Sequence, residues 1–314
     1  MSIDRKPFGK TDLGEPADLF TLKNANGITV KLTNFGGRIT ELHTPDRSGN
    51  FANITLGYDS LDAYVAPNPY FGALVGRVAN RIAGGRFVVD GQPYQTPRNN
   101  GANTLHGGLR GFDKKVWSAS EVDVPGGRGV RLEYRSPHME EGFPGNLDVV
   151  VTYALLDNNT FRIDYQATAD RPTPVNLTNH AYFNLRGAGN GTILDHTLRL
   201  HASHYTPVDA SLVPTGQILP VAGTPMDFTT PQKIGARIAQ VPGGYDHNYV
   251  LDGHTAPSGQ LTDCARLEEP TTGRVLEIQT TEPGVQFYSG NFLNGSNVGL
   301  GGAYVKHGGL CLET

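Results

Sequence analysis

Glycine and proline restrict the fold of this sequence more than any other feature. The chain has 40 glycines and 21 prolines among 314 residues, so about one residue in five is a chain breaker. Proline removes a helical hydrogen bond, and glycine costs a helix roughly 1 kcal/mol relative to alanine. Long helices, coiled coils and helical solenoids are therefore excluded, and many short strands joined by turns are expected.

Strand alternation recurs along the chain. Asp90-Gly91, between Val89 and Tyr94, predicts a tight hairpin turn. The strongest predicted hairpin has apolar residues at every second position over 147–155, a turn at 157–159 and a return strand over 161–167. Further strands are predicted at 197–201, 248–251, 275–280, 285–288 and 309–313, and short helices at 61–65 and 231–238.

The strand pattern runs from one end of the sequence to the other. No repeat period and no Ser/Gly linker interrupts it. The sequence therefore predicts one all-β domain over residues 1–314, with two large packed antiparallel sheets and few short helices.

Charge and cysteine content restrict the partners and the compartment. The net charge is −4 and no basic block stands out, so nucleic acid and anionic membrane surfaces have no electrostatic support. No apolar run approaches the ~18 residues of a membrane helix, and the polar start does not resemble a signal peptide. Two cysteines are too few for a disulfide framework or a cysteine zinc site. We expect free thiols and a cytoplasmic location.

Polar and aromatic residues concentrate in five segments. Carboxylates, amides, arginine and histidine match the hydroxyls of a sugar, and aromatic rings match its C–H face. Each residue alone also has a structural explanation: a histidine in the core, a salt bridge for Arg81, a turn cap for Asp246, or a frayed end for Glu313. Together they indicate a β-rich domain with a candidate sugar pocket, in segments 76–82, 103–108, 176–185, 245–249 and 310–314.

Taken in order, these segments resemble the aldose 1-epimerase (galactose mutarotase) family. The resemblance begins at residues 34–39, includes 281–291, and covers nearly the whole chain. It implies a galactose-mutarotase-like β-sandwich (supersandwich), with no metal and no cofactor. It also implies interconversion of the α and β anomers of free hexoses such as D-galactose and D-glucose. We expect a small-molecule aldose as partner, no nucleic acid or membrane, and a monomer or homodimer.

The resemblance also implies roles for particular residues. Glu313 falls on the general base, which takes the C1 hydroxyl proton. His180 falls on the general acid, which protonates the ring oxygen. His106 falls on a second histidine at the anomeric centre. The positions that line the sugar pocket are Asn80, Arg81, Tyr182, Asp246 and Gln286.

The sequence departs from the family pattern at its C-terminus. Family members continue for two or so strands past the Leu-Glu-Thr segment, whereas this sequence stops at Thr314. A base on a loose end would be poorly placed, because a small misplacement can cost ~100-fold in rate. Two alternatives follow: the last strand is locked into a sheet, or the chain lacks its final strands and is impaired.

Three other functions compete with this interpretation. A hexose-6-phosphate mutarotase would need more basic groups than Arg81 and Arg77. A non-catalytic carbohydrate-binding protein could use the same pocket. A glycoside hydrolase would need two carboxylates flanking the scissile bond, whereas the motifs pair one carboxylate with two histidines.

Overall fold

The computed structural model describes residues 2–253 and 259–314. Within them the chain is mostly short strands, which confirms the predicted all-β class. No helix in this part of the chain is long and apolar enough to cross a membrane.

The helix α1 is Leu61–Val65, and the 3-10 turns are Ala83–Gly85, Phe112–Lys114, Glu140–Gly142, Ile234–Ala236 and Ile238–Gln240. The strands are β1 (Ser2–Lys10), β2 (Pro16–Lys23), β3 (Thr29–Thr33), β4 (Arg38–Pro45), β5 (Phe51–Asn53), β6 (Ala73–Val75), β7 (Arg81–Ile82), β8 (Arg86–Val89), β9 (Gln92–Gln95), β10 (Thr104–Leu105), β11 (Ser118–Val124), β12 (Gly127–Ser136), β13 (Leu147–Leu156), β14 (Phe161–Ala169), β15 (Thr178–His180), β16 (Thr197–Leu200), β17 (His204–Thr206), β18 (Leu219–Pro220), β19 (Gln232–Lys233), β20 (Asp246–Val250), β21 (Thr262–Glu268), β22 (Val275–Thr280), β23 (Gly284–Tyr288), β24 (Val298–Gly299), β25 (Gly302–Ala303) and β26 (Cys311–Glu313).

The chain forms two compact units, and the first comprises the residues up to Leu42 together with Asp59–Asn179. Its strands pair antiparallel in chain order, as β1-β2-β3-β4 and as β11-β12-β13-β14. The apolar face predicted on β13 is buried from Leu147 to Leu155, with each of its residues at most 1% exposed. Burying each such side chain contributes about 1.5–3 kcal/mol, so this face is a main part of the core of the first unit.

The predicted Asp90-Gly91 turn joins β8 and β9. Both residues have positive φ, 51° at Asp90 and 76° at Gly91. Two such residues in succession are required by the hairpin turn that matches the twist of the flanking strands, so the prediction is confirmed.

The second unit comprises His43–Tyr58 and His180–Thr314. It contains two sheets, ordered β18-β17-β20-β23-β26 and β19-β16-β21-β22. The strands predicted from residue 197 onward all form, with ends shifted by at most two residues. The prediction that both units belong to one domain over residues 1–314 stays a prediction.

The helix predicted at 231–238 is wrong. This segment forms β19 and then 3-10 turns. The backbone N–H of Ile234 donates to the carbonyl of His196, and that of Gly235 donates to the carbonyl of Leu194. Tertiary pairing therefore takes the hydrogen bonds that a helix would have made within itself, and Gly235 has little helical preference to oppose it.

Candidate functional site

Three neighbouring strands of the second unit present polar side chains on one face of a sheet. In β20, β23 and β26, Asp246 pairs with Tyr288, Tyr288 with Cys311, and Gln286 with Glu313. Side chains directly opposite one another in an antiparallel pair point to the same side, and so do side chains two residues apart on one strand. Asp246, Gln286, Tyr288, Cys311 and Glu313 therefore share a face.

Glu313 is fixed by strand pairing. It is 8% exposed and belongs to β26, which pairs with β23. On the side of Leu310, the chain also exchanges two backbone hydrogen bonds with Phe183, of 2.7 and 3.0 Å. The strand that carries the predicted base is therefore paired within the sheet.

His180, at the end of β15, lies against this face. Its Nε2 atom is 3.6 Å from Oε1 of Glu313, and both side chains are only 6% exposed. Its Nδ1 atom is 3.5 Å from Sγ of Cys311. The predicted acid and base are thus close to one another and largely shielded from water. Charge interactions in such a buried site are stronger than in solution.

Tyrosine rings pack beside His180. Tyr182 has its ring centroid 5.1 Å from that of His180 and 5.9 Å from that of Tyr288. Burial raises the pKa of Tyr182 well above its usual value, and the acidic groups around it, including Glu313 and Asp246, add to the effect. The ring therefore carries a neutral hydroxyl at physiological pH.

Asp246 and Gln286 form a polar pair on the same face. Nε2 of Gln286 donates a 2.6 Å hydrogen bond to Oδ1 of Asp246. This bond fixes the amide so that its oxygen remains an acceptor, and the carboxylate keeps further acceptor positions. Such a pair is suited to two neighbouring hydroxyls of one sugar.

The other predicted site residues lie in the first unit, where β7 pairs with β10. The backbone N–H of Asn80 donates to Nδ1 of His106 over 3.1 Å, and the backbone N–H of His106 donates back to the carbonyl of Asn80 over 3.0 Å. A neutral His106 therefore carries its proton on Nε2. Nε of Arg81 donates to Asn100 over 3.1 Å, which fixes the plane of its guanidinium. Asn80 and His106 both have positive φ, 58° and 50°.

Arg77 has a structural role. It is 2% exposed, and its guanidinium donates to the hydroxyl and carbonyl of Ser136 and to the carbonyls of Pro137, Pro144 and Gly145. These acceptors satisfy its donors inside the first unit. Arg77 is therefore not the extra cation that a sugar phosphate would require.

Sequence reasoning missed Tyr288 and Cys311 as members of this cluster. Cys311 was expected only as a free thiol, and the structure confirms that it is free and buried. The i, i+2 spacing of Cys311 and Glu313 on a predicted strand was the available signal, because it places both side chains on one face.

This arrangement pairs a candidate base with a candidate acid. A carboxylate is the natural base, and an imidazolium is the natural acid near neutral pH. The surrounding amide, carboxylate and phenol groups can bind hydroxyls. The chemistry of the cluster is therefore suited to acid–base catalysis on a polyhydroxylated molecule.

Comparisons with known proteins support this interpretation of the fold. The structure of a galactose 1-epimerase from Lactobacillus acidophilus superposes with a TM-score of 0.86 at 27% identity, covering 100% of this chain and 90% of that chain. The fold is thus of the galactose mutarotase-like class, as predicted. A galactose mutarotase from Bos taurus is 45% identical over 317 residues, covering 100% of this chain and 90% of the relative. An aldose 1-epimerase from Haemophilus influenzae is 35% identical, covering 99% of this chain and 90% of the relative.

The match to a family profile agrees with these relatives. The profile described as aldose 1-epimerase matches residues 18–314. The chain belongs to the aldose 1-epimerase family, whose members are isomerases.

Proposed function

We propose that this protein interconverts the α and β anomers of free hexoses such as D-galactose and D-glucose. The observation that carries the proposal is the buried pair of His180 and Glu313, whose Nε2 and Oε1 atoms are 3.6 Å apart. Anomerisation requires one base and one acid acting on two oxygens that are bonded to the same carbon, C1. A pair of groups this close can serve both oxygens.

The proposed reaction opens and recloses the sugar ring. Glu313 takes the proton of the C1 hydroxyl, and the oxygen's electron pair forms the C1 carbonyl. The bond between C1 and the ring oxygen breaks, and that oxygen receives the Nε2 proton of His180. Rotation about C1–C2 presents the other carbonyl face, and closure reverses both transfers. Each positioned proton transfer contributes about 10²–10⁴-fold.

The remaining predicted site residues are proposed as sugar ligands. The amide oxygen of Gln286 and the carboxylate of Asp246 would accept hydrogen bonds from sugar hydroxyls, and Tyr182 would offer an aromatic face. Arg81 and Asn80 would hold hydroxyls remote from C1. His106 would donate from Nε2, a role supported by the Asn80 N–H that occupies its Nδ1.

A cytoplasmic location and a monomeric or homodimeric state remain part of the proposal. The location is supported by Cys264 and Cys311, which are both free thiols. Buried free thiols persist most readily in a reducing compartment.

Polarimetry tests the proposed function. The purified protein should speed the mutarotation of freshly dissolved α-D-galactose and α-D-glucose well beyond the spontaneous rate. Glucose 6-phosphate serves as the comparison substrate. Acceleration of the phosphorylated sugar alone would instead indicate a hexose-6-phosphate mutarotase. Galactose binding by calorimetry without acceleration would indicate a carbohydrate-binding protein.

A further inference from the structure

The two side chains of β26 that face His180 meet different nitrogens of its ring. Glu313 lies 3.6 Å from Nε2, and Cys311 lies 3.5 Å from Nδ1. Residues 311 and 313 are separated by one intervening residue, so both side chains lie on the same face of the strand and contact the same imidazole. One short strand therefore places a side chain beside each nitrogen of the His180 ring.

We propose that Cys311 is a positioning residue, whose sulfur accepts a hydrogen bond from Nδ1–H of His180 and so keeps the transferable proton on Nε2. This inference rests on the proposed function, in which His180 is the acid. It adds the residue that sets the tautomer of that acid.

The argument follows the proton through the reaction. An imidazolium carries protons on both nitrogens, and a neutral imidazole carries one. When Nε2 of His180 gives its proton to the ring oxygen, the proton that remains is on Nδ1. His180 is buried, and a buried N–H without an acceptor costs free energy. Sγ of Cys311 lies 3.5 Å from Nδ1 and can accept that hydrogen bond.

A neutral thiol suits this position better than a charged group. Burial raises the pKa of the Cys311 thiol well above its usual value, and the charges of Glu313 and Asp246 raise it further. The sulfur therefore stays uncharged and is only a weak acceptor. A carboxylate here would stabilise the imidazolium strongly and make it a poorer acid.

The groups around His180 that bear on its titration come from several elements of the second unit. Glu313 and Cys311 come from β26, and Tyr182 follows β15. The others on the shared sheet face are Asp246 of β20 and Tyr288 of β23. A substitution at Cys311 leaves the other four side chains in place, so a change in the pH profile would report the lost sulfur.

Cys311→Ala and Cys311→Ser test the proposal kinetically. Alanine removes the acceptor, so kcat should fall on the order of tenfold while KM stays within about twofold. The basic limb of the pH profile should also move to lower pH, because the imidazolium loses a hydrogen bond. Serine keeps an acceptor and should restore most of kcat. Normal kcat and an unmoved pH profile in Cys311→Ala would overturn the proposal.

Cys264→Ala is the matched control. Cys264 lies in β21, is also fully buried, and has a pKa raised by burial to about 12. Both alanine variants lose a buried sulfur and should lower Tm, whereas only Cys311→Ala should lower kcat. Equal losses of kcat in the two variants would mean a merely structural role.

NMR provides a readout that does not depend on activity. In the wild-type protein, the ¹⁵N shifts should show that His180 loses its proton from Nε2 and keeps Nδ1–H when it titrates. Loss from Nδ1 would overturn the inference even if Cys311→Ala fails to fold. If the wild-type protein does not speed mutarotation, the proposed function fails, and the NMR result still decides the hydrogen bond.

Discussion

Glu313→Gln removes the proposed base while keeping its size. The amide cannot accept the C1 proton at neutral pH, so kcat should fall about 10²–10⁴-fold, or about 3–5 kcal/mol in the activation free energy. A second effect acts through His180. At 3.6 Å and an effective dielectric constant of about 20, the carboxylate and the imidazolium attract one another by about 5 kcal/mol. Losing this attraction leaves less of His180 in the acidic form.

The fold should survive this substitution. Glu313 is held by the backbone pairing of β26 with β23, which does not use its carboxylate. The circular dichroism spectrum should therefore match that of the wild type, whereas Tm should fall, because the buried attraction between Glu313 and His180 is lost. Glu282→Gln, at an exposed position just before β23, makes the same chemical change away from the cluster and should leave the rate unchanged.

The assay is polarimetry of α-D-galactose at several concentrations, which separates kcat from KM. His180→Gln and the double variant complete a cycle. If both residues act in one proton relay, the double variant should be only slightly slower than the slower single variant. A near-normal kcat in Glu313→Gln, with an active wild type, would refute the assignment of the base.

Three further predictions follow from the structure. Arg77→Lys should destabilise the protein by about 3–5 kcal/mol in urea unfolding, because several buried carbonyls lose their donor, and a change below about 1 kcal/mol would contradict that role. Burial lowers the pKa of His196 to about 4, so between about pH 6.5 and pH 4 the unfolded chain binds a proton at His196 that the folded chain does not. The free energy of unfolding should therefore fall by about 2 kcal/mol from pH 7 to pH 5. In urea unfolding, His196→Gln should lose this pH dependence, and an unchanged dependence would exclude His196 as its source. The mutarotation rate should follow a bell-shaped pH profile, since Glu313 must be ionised and His180 protonated. A flat profile between about pH 5 and pH 9, measured where the chemical step limits the rate, would argue against this pair.

Local patterns in the sequence were sufficient for much of the fold. The alternation over residues 147–155 and the Asp90-Gly91 turn each specify their structure within a few residues, so the hairpins they predict are present. The segment at 231–238 failed because its backbone donors are used by residues 194 and 196, which a local pattern does not contain.

In the candidate site, too, some features could be predicted from the sequence and others could not. Motif resemblance was enough to single out His180 and Glu313 as the candidate acid and base, since residue type and motif order can be read directly from the sequence. It did not reveal the structural role of Arg77 or the thiol beside Nδ1 of His180, because Cys311 is 131 residues away in sequence.

The sequence by itself determined a strand-rich fold, through its chain breakers and alternating apolar positions, and a short set of side chains able to move protons. Only the tertiary structure decided which of those side chains meet. Strand register sets that outcome, because pairing β26 with β23 turns Cys311 and Glu313 toward the same imidazole, and a shift of one residue would turn both away.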